Sequence, residues 1–542
     1  MKASDYIAKK ISTFTNHVFS GQGGSVVHIL DSLSKIKKVK IIPSQNEQGA
    51  SLAADAYYRT SGNIGVVIAT SGPGILNTLQ GMACSYYDSI PALYISGAPV
   101  TKQIKKNKKL RQLGFQEMEV ADLVRSITKY SIRITNTKDI NYEIEKCIHI
   151  AKDGRPGPVL IDLPDDIQRM DLKEKSQKKY KIKKIKSKKI NLGNTKHLIK
   201  KSKRPIIIVG GGVKISNSQN KLFELINKFK LPYALTWATA DIFNNNSDLD
   251  IGTFGNYATR HANFAIQNSD LLIILGSRLN GTQIGSNPKT FAPKAKKILV
   301  DIDPAELKGE NGLHIDCKIN CDIRQFVDSF ENILKNFNID DEWYSAIKDW
   351  KKKYPIIHED MYKAKNFVNP YIFFEKLSDA CNDSDIIIPD ASANLVWCFQ
   401  TFKPKKNQKI FTALNHSPMG YSIAASIGAA LGAPSKKILA IIGDGSVQMN
   451  IQEIENIKHL NLPIKIFIVN NNGYGMVKQT IDTWLNKNYV GCDKQSGLSM
   501  PDFQKVFSSY GIETCEISNH NDLSEKINFV MNSDKPIMCD VK

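Results

Sequence analysis

The chain has 542 residues, 42% of them hydrophobic and 8% aromatic, too long for a single core and too apolar for a disordered chain, so three or four domains of ordinary size are expected. The formal net charge of +20 is almost all lysine, with ten arginines and none after Arg324. Readers of bases and phosphates favour the arginine fork, which argues against nucleic acid as a partner.

The opening residues "MKASDYIAKK" lack a long apolar run, and no stretch approaches the roughly 18 apolar residues of a membrane span, so no membrane partner and a cytoplasmic location are expected. Nine scattered cysteines, an odd number, read as free thiols in a reducing compartment. Over residues 1–172, short apolar runs ("VKIIPS", "IGVVIATSG", "IPALYISGAPV", "GPVLIDLP") alternate with helical periods such as "QGASLAADAYYRTSG", the pattern of a parallel sheet with crossover helices. Glu47 opens that helix, where an acid caps the first turn and offsets unpaired N–H groups. The lysine run Thr101 to Arg111 reads as an exposed loop, and Glu174 to Pro205 as a solvated linker that marks a domain boundary.

Residues 190–335 repeat the pattern with "RPIIIVGGG", "DLLIILGSR" and "KKILVDIDP". Cys317, Cys321 and His314 lie close in sequence here, but they lack the second ligand cluster of a zinc site and read as structural. Residues 365–542 repeat it again with "DIIIPDAS", "KILAIIGDGS", "IKIFIVNNN" and "KPIMCDVK". The fold class is therefore α/β, with three doubly wound parallel-sheet domains that bind ligands beyond the carboxyl ends of their strands.

One such end carries Gly443-Asp444-Gly445, and Asn471 follows Asp444 by 27 positions at the end of the next strand. A Gly-Asp-Gly turn presents backbone N–H groups at a helix start to a diphosphate, and the Asp444 carboxylate suits a hard cation. The Asn471 side chain and the Gly473 carbonyl complete a neutral oxygen set, so Mg²⁺ with a diphosphate is the expected ligand.

The segments "NEQGASLAADAYYRTSG", "TSGPGILNTLQGMACSYYDSIPALYISG", "FQE", "GRPGPVLIDLP", "FAPKAKKILVDIDPAE", "SPMGYSIAASIGAALGAP" and "GDGSVQMN…NNNGYGMVKQ" resemble those of the thiamine diphosphate-dependent family of acetolactate (acetohydroxyacid) synthase and related 2-oxo acid decarboxylases and carboligases. The resemblance runs along nearly the whole chain. It implies pyrimidine-binding, central and diphosphate-binding domains, with thiamine diphosphate and Mg²⁺ as cofactors. It places Glu47 against N1′ of the aminopyrimidine, where exchange of a proton activates the cofactor toward a 2-oxo acid. It also implies Met419 as the apolar support beneath the cofactor, Gly72, Pro73 and Gly74 as a turn allowing close backbone approach, and Asn77 and Gln116 as active-site amides. Gly23 and Gly24 match a glycine pair near the substrate. Asn394, Ser417, Ser446 and Met476 fall at cofactor-contacting positions beside Gly443, Asp444, Gly445, Asn471 and Gly473. In this family Glu47 and Asp444 act on one cofactor from different subunits, which implies a homo-oligomer, a dimer or tetramer.

The implied reaction decarboxylates a 2-oxo acid, pyruvate above all, and transfers the two-carbon unit to a carbonyl acceptor. The acceptor pattern departs from acetolactate synthase: Asn46 stands where the family has histidine, Thr282 where it has a second arginine, and Thr480 where it has a tryptophan. An enlarged, less cationic pocket fits an aldehyde, ketone or keto-sugar, and the Thr101 to Arg111 loop is a candidate for attracting an anionic one. "VGGGV" (Val209 to Val213), Arg278 and "DIDPAE" match stretches that hold FAD in acetolactate synthases and ADP in some relatives, leaving FAD, ADP or neither open. The end at "CDVK" precedes the C-terminal arm of many relatives. Two alternatives keep the scaffold: a thiamine diphosphate-dependent carbon–carbon lyase or hydrolase, and a non-catalytic binding protein.

Overall fold

The computed structural model describes residues 1–182, 190–243 and 247–542; residues 183–189 of the lysine-rich linker lie outside the described residues. The first sheet holds β1 (His17–Ser20), β2 (Lys40–Pro43), β3 (Gly65–Ala69), β4 (Ala92–Ala98), β5 (Tyr130–Arg133) and β6 (Val159–Pro164), in the order β2-β1-β3-β4-β6-β5. The second holds β7 (Pro205–Val209), β8 (Tyr233–Leu235), β9 (Asp250–Thr253), β10 (Leu271–Leu275), β11 (Lys296–Asp301) and β12 (Cys317–Asn320), in the order β12-β11-β10-β7-β8-β9. The third holds β13 (Ile386–Pro389), β14 (Lys409–Ile410), β15 (Ile438–Gly443), β16 (Ile464–Val469), β17 (Glu513–Ile517) and β18 (Ile537–Val541), in the order β14-β13-β15-β16-β18-β17. All pairings within these sheets are parallel.

Interior strands such as β3, β7 and β10 are buried along their whole length, which is why their sequences are continuous apolar runs. Four of the six edge strands, β5, β9, β14 and β17, carry no such run: β5 is half-buried throughout and β14 has two residues. An edge needs only one apolar face, so hydrophobic runs alone do not reveal it.

The helix Glu47–Ser61 is capped by the Asn46 side chain, which accepts a bond from Gln48 N–H, and it ends at Gly62 in the left-handed region. Both ends follow ordinary capping chemistry. Its small residues press against the helix Tyr421–Gly432 so closely that a Cβ on Gly428 would lie 1.8 Å from the Ala53 carbonyl oxygen. One apolar cluster accordingly joins Leu52 and Ala56 to Ile386, Ile423, Ala440 and Ile442, welding the first sheet's layer to the third's.

Within this contact lies a buried ionic network. Asp55, fully buried, accepts from Arg59 Nε at 2.7 Å, Tyr421 hydroxyl at 2.6 Å and Ser85 hydroxyl at 2.9 Å. Arg59 also donates to Asp88 at 2.8 Å, and Asp88 accepts from the backbone of Leu414. Burial disfavours the guanidinium charge, but Asp55, Tyr421 and Asp88 outweigh it and hold Arg59 protonated. Among the described residues no helix is long and apolar enough to cross a membrane.

Candidate active site

The carboxyl ends of β1 and β3 frame Glu47. Its Oε2 accepts from Asn77 Nδ2 at 2.9 Å, and Asn77 closes the short helix Pro73–Asn77 that follows β3. A Cβ on Gly21 would lie 2.3 Å from Glu47 Oε1, and one on Gly74 would lie 3.2 Å from it. The half-buried carboxylate thus has backbone on two sides and an amide on the third. The turn Gly72-Pro73-Gly74 touches Gln116 at its other end: Gly72 has φ +64°, and a Cβ there would be 3.0 Å from Gln116 Cβ. Gln116 itself has φ +56°. Gly23 packs against the Thr70 side chain, while Gly24 faces open space. Ser25, Thr70 and Gln168 complete this corner: the Ser25 and Thr70 hydroxyls lie 2.9 Å apart, and Gln168 donates to Ser25 O at 2.7 Å. Single polar residues of this kind carry no periodic signal, and the sequence reading missed them.

The second constellation sits beyond β15 and β16. Asp444 opens the short helix Asp444–Val447; its Oδ1 accepts from Gly445 N–H at 2.7 Å and its Oδ2 from Gly473 N–H at 2.9 Å. Burial pushes this carboxyl up from its ordinary value, while N–H groups of Gly445, Gly473, Asn471 and Asn472 pull the other way. Gly445 lies under the Tyr474 ring, where a Cβ would be 2.2 Å from Cε1. Asn394 is buried against Gly443, with Nδ2 3.1 Å from where a Cβ would stand. Asn471 is exposed, Gly473 is buried, and Met476 is half-buried on the helix Gly475–Trp484.

The segment Ser417 to Gly420 is held above this turn by two residues absent from the sequence reading. Asp390, fully buried at the end of β13, accepts from Gly420 N–H at 3.1 Å and Ser422 N–H at 2.8 Å. Burial raises its pKa to about 6, against hydrogen bonds that include the Ser446 hydroxyl. Asn450 donates to Gly420 O at 3.0 Å. Met419 and Ser417 are both half-buried, the latter with φ +50°. Asp390 had a readable signal, an acid directly after a buried strand.

The two constellations meet through the residues on either side of Glu47. Glu453, fully buried, accepts from Asn46 N–H at 3.0 Å, and Gln48 Nε2 reaches Asn450 Oδ1 at 3.5 Å. Among the described residues no hydrogen bond or ion pair joins Glu47 itself to Asp444, Asn471 or Met419.

A cavity of about 1660 Å³ opens where the second sheet faces the other two, lined among others by Gly211, Gly212, Arg155, Arg278 and Asp301. Arg155 bonds Glu306 at 2.6 Å and Asp303 at 3.2 Å. Among the described residues the Arg278 guanidinium has no hydrogen bond or ion pair, and burial, with Arg155 nearby, pushes its pKa down. A half-buried cation without a hydrogen-bonded or ion-paired partner, lining the cavity, fits an anionic group there. Thr282 lines the same cavity, its hydroxyl 2.6 Å from Asn280 Oδ1. Thr480 is exposed and donates to Met476 O at 3.0 Å. Cys317 and Cys321 are buried in the second sheet's core, whereas the His314 side chain is 84% exposed. Among the described residues no group of three His, Cys, Asp or Glu side chains is placed to hold a metal. The Asp444 turn offers one carboxylate with amide and carbonyl oxygens, a set suited to a hard cation that shares a phosphorylated ligand.

Three family models match: the N-terminal TPP binding domain of thiamine pyrophosphate enzymes at residues 1–123, their central domain at 193–330 and their C-terminal TPP binding domain at 390–541. The class is that of the thiamine diphosphate (thiamine pyrophosphate) enzymes. The acetolactate synthase large subunit of Porphyra purpurea is 32% identical over 540 residues, covering 97% of this chain and 88% of that protein. The chloroplastic acetolactate synthase 2 of Nicotiana tabacum is 30% identical over 556 residues, 100% of this chain and 82% of the relative. A probable acetolactate synthase large subunit of Methanococcus aeolicus is 31% identical over 547 residues, 96% and 88% of the two chains. The chain belongs to the acetolactate synthase-like family of thiamine diphosphate-dependent enzymes, carboligases of the transferase class.

Proposed function

We propose that the protein decarboxylates a 2-oxo acid, pyruvate first among them, and joins the resulting two-carbon unit to a carbonyl acceptor. The observation that carries this reading is the Glu47 carboxylate, held by Asn77 and flanked by the Gly21 and Gly74 backbones at the carboxyl ends of β1 and β3. Thiamine diphosphate supplies the carbon nucleophile and electron sink when bound. Glu47 holds and returns a proton at its Oε1, the oxygen that Asn77 leaves free. Asn77 fixes the carboxylate's orientation, and the missing side chains at Gly21 and Gly74 leave it room. Gln116 lines the same turn for substrate.

Asp444, Asn471 and the Gly473 carbonyl would hold Mg²⁺, and Gly443, Gly445, Ser446 and Asn394 would cradle the diphosphate. Ser417, Met419 and Met476 bound the site on the apolar side. As the resemblance to acetolactate synthases implies, Glu47 and Asp444 act on one cofactor from different copies of a homo-oligomer, and the protein acts in the cytoplasm. Domain limits of 1–172, 190–335 and 365–542 follow the three sheets. The unpaired Arg278 favours FAD or ADP in the central cavity.

The test is Glu47→Gln, which keeps shape and one hydrogen bond but removes the proton carrier. It should lower CO₂ release from pyruvate by about 10²- to 10⁴-fold while thiamine diphosphate binding, read by calorimetry, changes little. Turnover surviving in this variant removes Glu47 from the chemistry, and failure of the wild type to decarboxylate any 2-oxo acid favours lyase chemistry instead.

A further inference from the structure

Residues Thr101 to Arg111 carry six cations: Lys102, Lys105, Lys106, Lys108, Lys109 and Arg111. The loop is built, with both ends anchored. Asp166 accepts from Thr101 N–H at 2.9 Å and from its hydroxyl at 2.5 Å. Glu117, 7% exposed, accepts from Lys105 N–H at 2.7 Å, Leu113 N–H at 2.6 Å and Gly114 N–H at 3.2 Å. Lys105 Nζ folds back to Arg111 O at 3.1 Å, and Asn107 Oδ1 accepts from Lys109 N–H at 3.0 Å, closing a compact turn between them.

The charges on that turn are not neutralised. Glu117 and Asp166 spend their oxygens on the loop's backbone and on Thr101. Asp122 lies 4.0 Å from Lys108 but is held by Arg125 at 2.7 Å, and Glu119 faces Arg133 at 3.6 Å. Lys102, Lys106, Lys109 and Arg111 are exposed and, among the described residues, have neither a hydrogen bond nor an ion pair through their side chains. Four unpaired cations on an anchored loop, three of them on this turn, hold a positive field that costs stability unless an anion uses it.

Position supplies the second argument. Gln116 follows Arg111 by five residues, at most about 18 Å of extended chain. Gln116 packs on Gly72, in the same turn whose Gly74 lies against the Glu47 carboxylate. The cationic turn therefore stands within the span of an extended phosphorylated or nucleotide-linked sugar from the proposed reacting centre.

Resting on the carboligase reading above, we propose that this loop receives the phosphate of a phosphorylated carbonyl acceptor and directs its carbonyl toward the Glu47 turn. In the ligation, pyruvate loses CO₂, its acyl carbon bonds to the acceptor's carbonyl carbon, and the acceptor oxygen takes one proton from solvent; no oxidant enters. The shared chemistry is phosphate, whether a sugar monophosphate or a nucleoside diphosphate-linked sugar carries it.

The experiment compares holoenzyme and the Lys106→Gln/Lys109→Gln/Arg111→Gln variant on a ketose, its monophosphate and a UDP-linked keto-sugar, with pyruvate as donor. The wild type should favour phosphorylated acceptors by roughly tenfold or more in kcat/KM, a preference that fades as salt rises. The variant should lose that preference while CO₂ release from pyruvate alone is unchanged. Whichever phosphorylated acceptor has the higher kcat/KM names the source. Equal use of the phosphorylated and plain ketose, or a preference that survives in the variant, overturns the proposal. If neither pyruvate nor any other 2-oxo acid is decarboxylated, the carboligase reading fails. Calorimetric titration with the ketose monophosphate then decides the loop separately: binding weakened roughly tenfold or more in the variant keeps it as a phosphate site, and equal or absent binding removes it.

Discussion

Glu47 and Asp444 both open a helix just after a parallel strand, yet the protein holds them in opposite ways. Asp444 is buried and has both oxygens engaged by backbone N–H groups, of Gly445 and Gly473. Glu47 is half-buried and engaged at one oxygen by a side-chain amide, with glycine backbone around the other. Backbone donors cannot swing away, so Asp444 is a fixed charge suited to a cation. A half-buried carboxylate with one oxygen free of hydrogen bonds can take up and release a proton. The same residue class at the same kind of position serves binding in one place and proton transfer in the other.

After Glu47→Gln, the largest effect belongs to Asp444→Asn. It should raise the Mg²⁺ and thiamine diphosphate needed for half-maximal activity by about 10- to 100-fold, with turnover recovering at saturation; a loss of turnover that added cofactor does not restore would make the two carboxylates alike. Next comes the scaffold that seats the Glu47 helix. Asp55→Ala leaves Arg59, whose side chain is only 12% exposed, without its nearest carboxylate, and should lower stability by about 3–5 kcal/mol, measured by denaturant unfolding of the holoenzyme.

The Asp444 side rests on Asp390, and there pH is the probe. Burial raises Asp390 to about 6 from an ordinary 3.8, so the folded state holds its proton more tightly than the unfolded state. Its contribution is fully present below the unfolded value and is lost as pH rises through the folded one, by up to about 3 kcal/mol between roughly pH 4 and 6. Asp390→Asn should remove that share of the slope in unfolding curves taken across this range. The smallest effect belongs to Asn77→Ala. Deleting one neutral donor should cost about 1 kcal/mol, or roughly fivefold in kcat, with little change in cofactor affinity; an effect as large as that of Glu47→Gln would show that Asn77 does more than orient.

The buried interior strands were readable because a strand covered on both faces must be apolar throughout, as in "GVVIA" and "LLIIL". Gly443 to Gly445 and Asn471 were readable because turn chemistry and spacing are local. Glu453 was not, since its partner Asn46 is 407 residues away; Asp390 stood out as an acid after a buried strand, but nothing local named its partner, the Gly420 N–H. Thr70 and Ser25 likewise gain meaning only from facing each other.

By itself the sequence determined the three α/β layers, the family and the residue types at each strand end, because periodicity, capping and turn preferences act within a few residues. Tertiary structure alone decided which oxygen of each acid stays free, how closely the helix Tyr421–Gly432 seats the helix of Glu47, and which cations near Gln116 stay unpaired. Those outcomes depend on distances in space between segments that the chain separates, by 30 residues for Asn77 and Glu47 and by 366 for Tyr421 and Asp55.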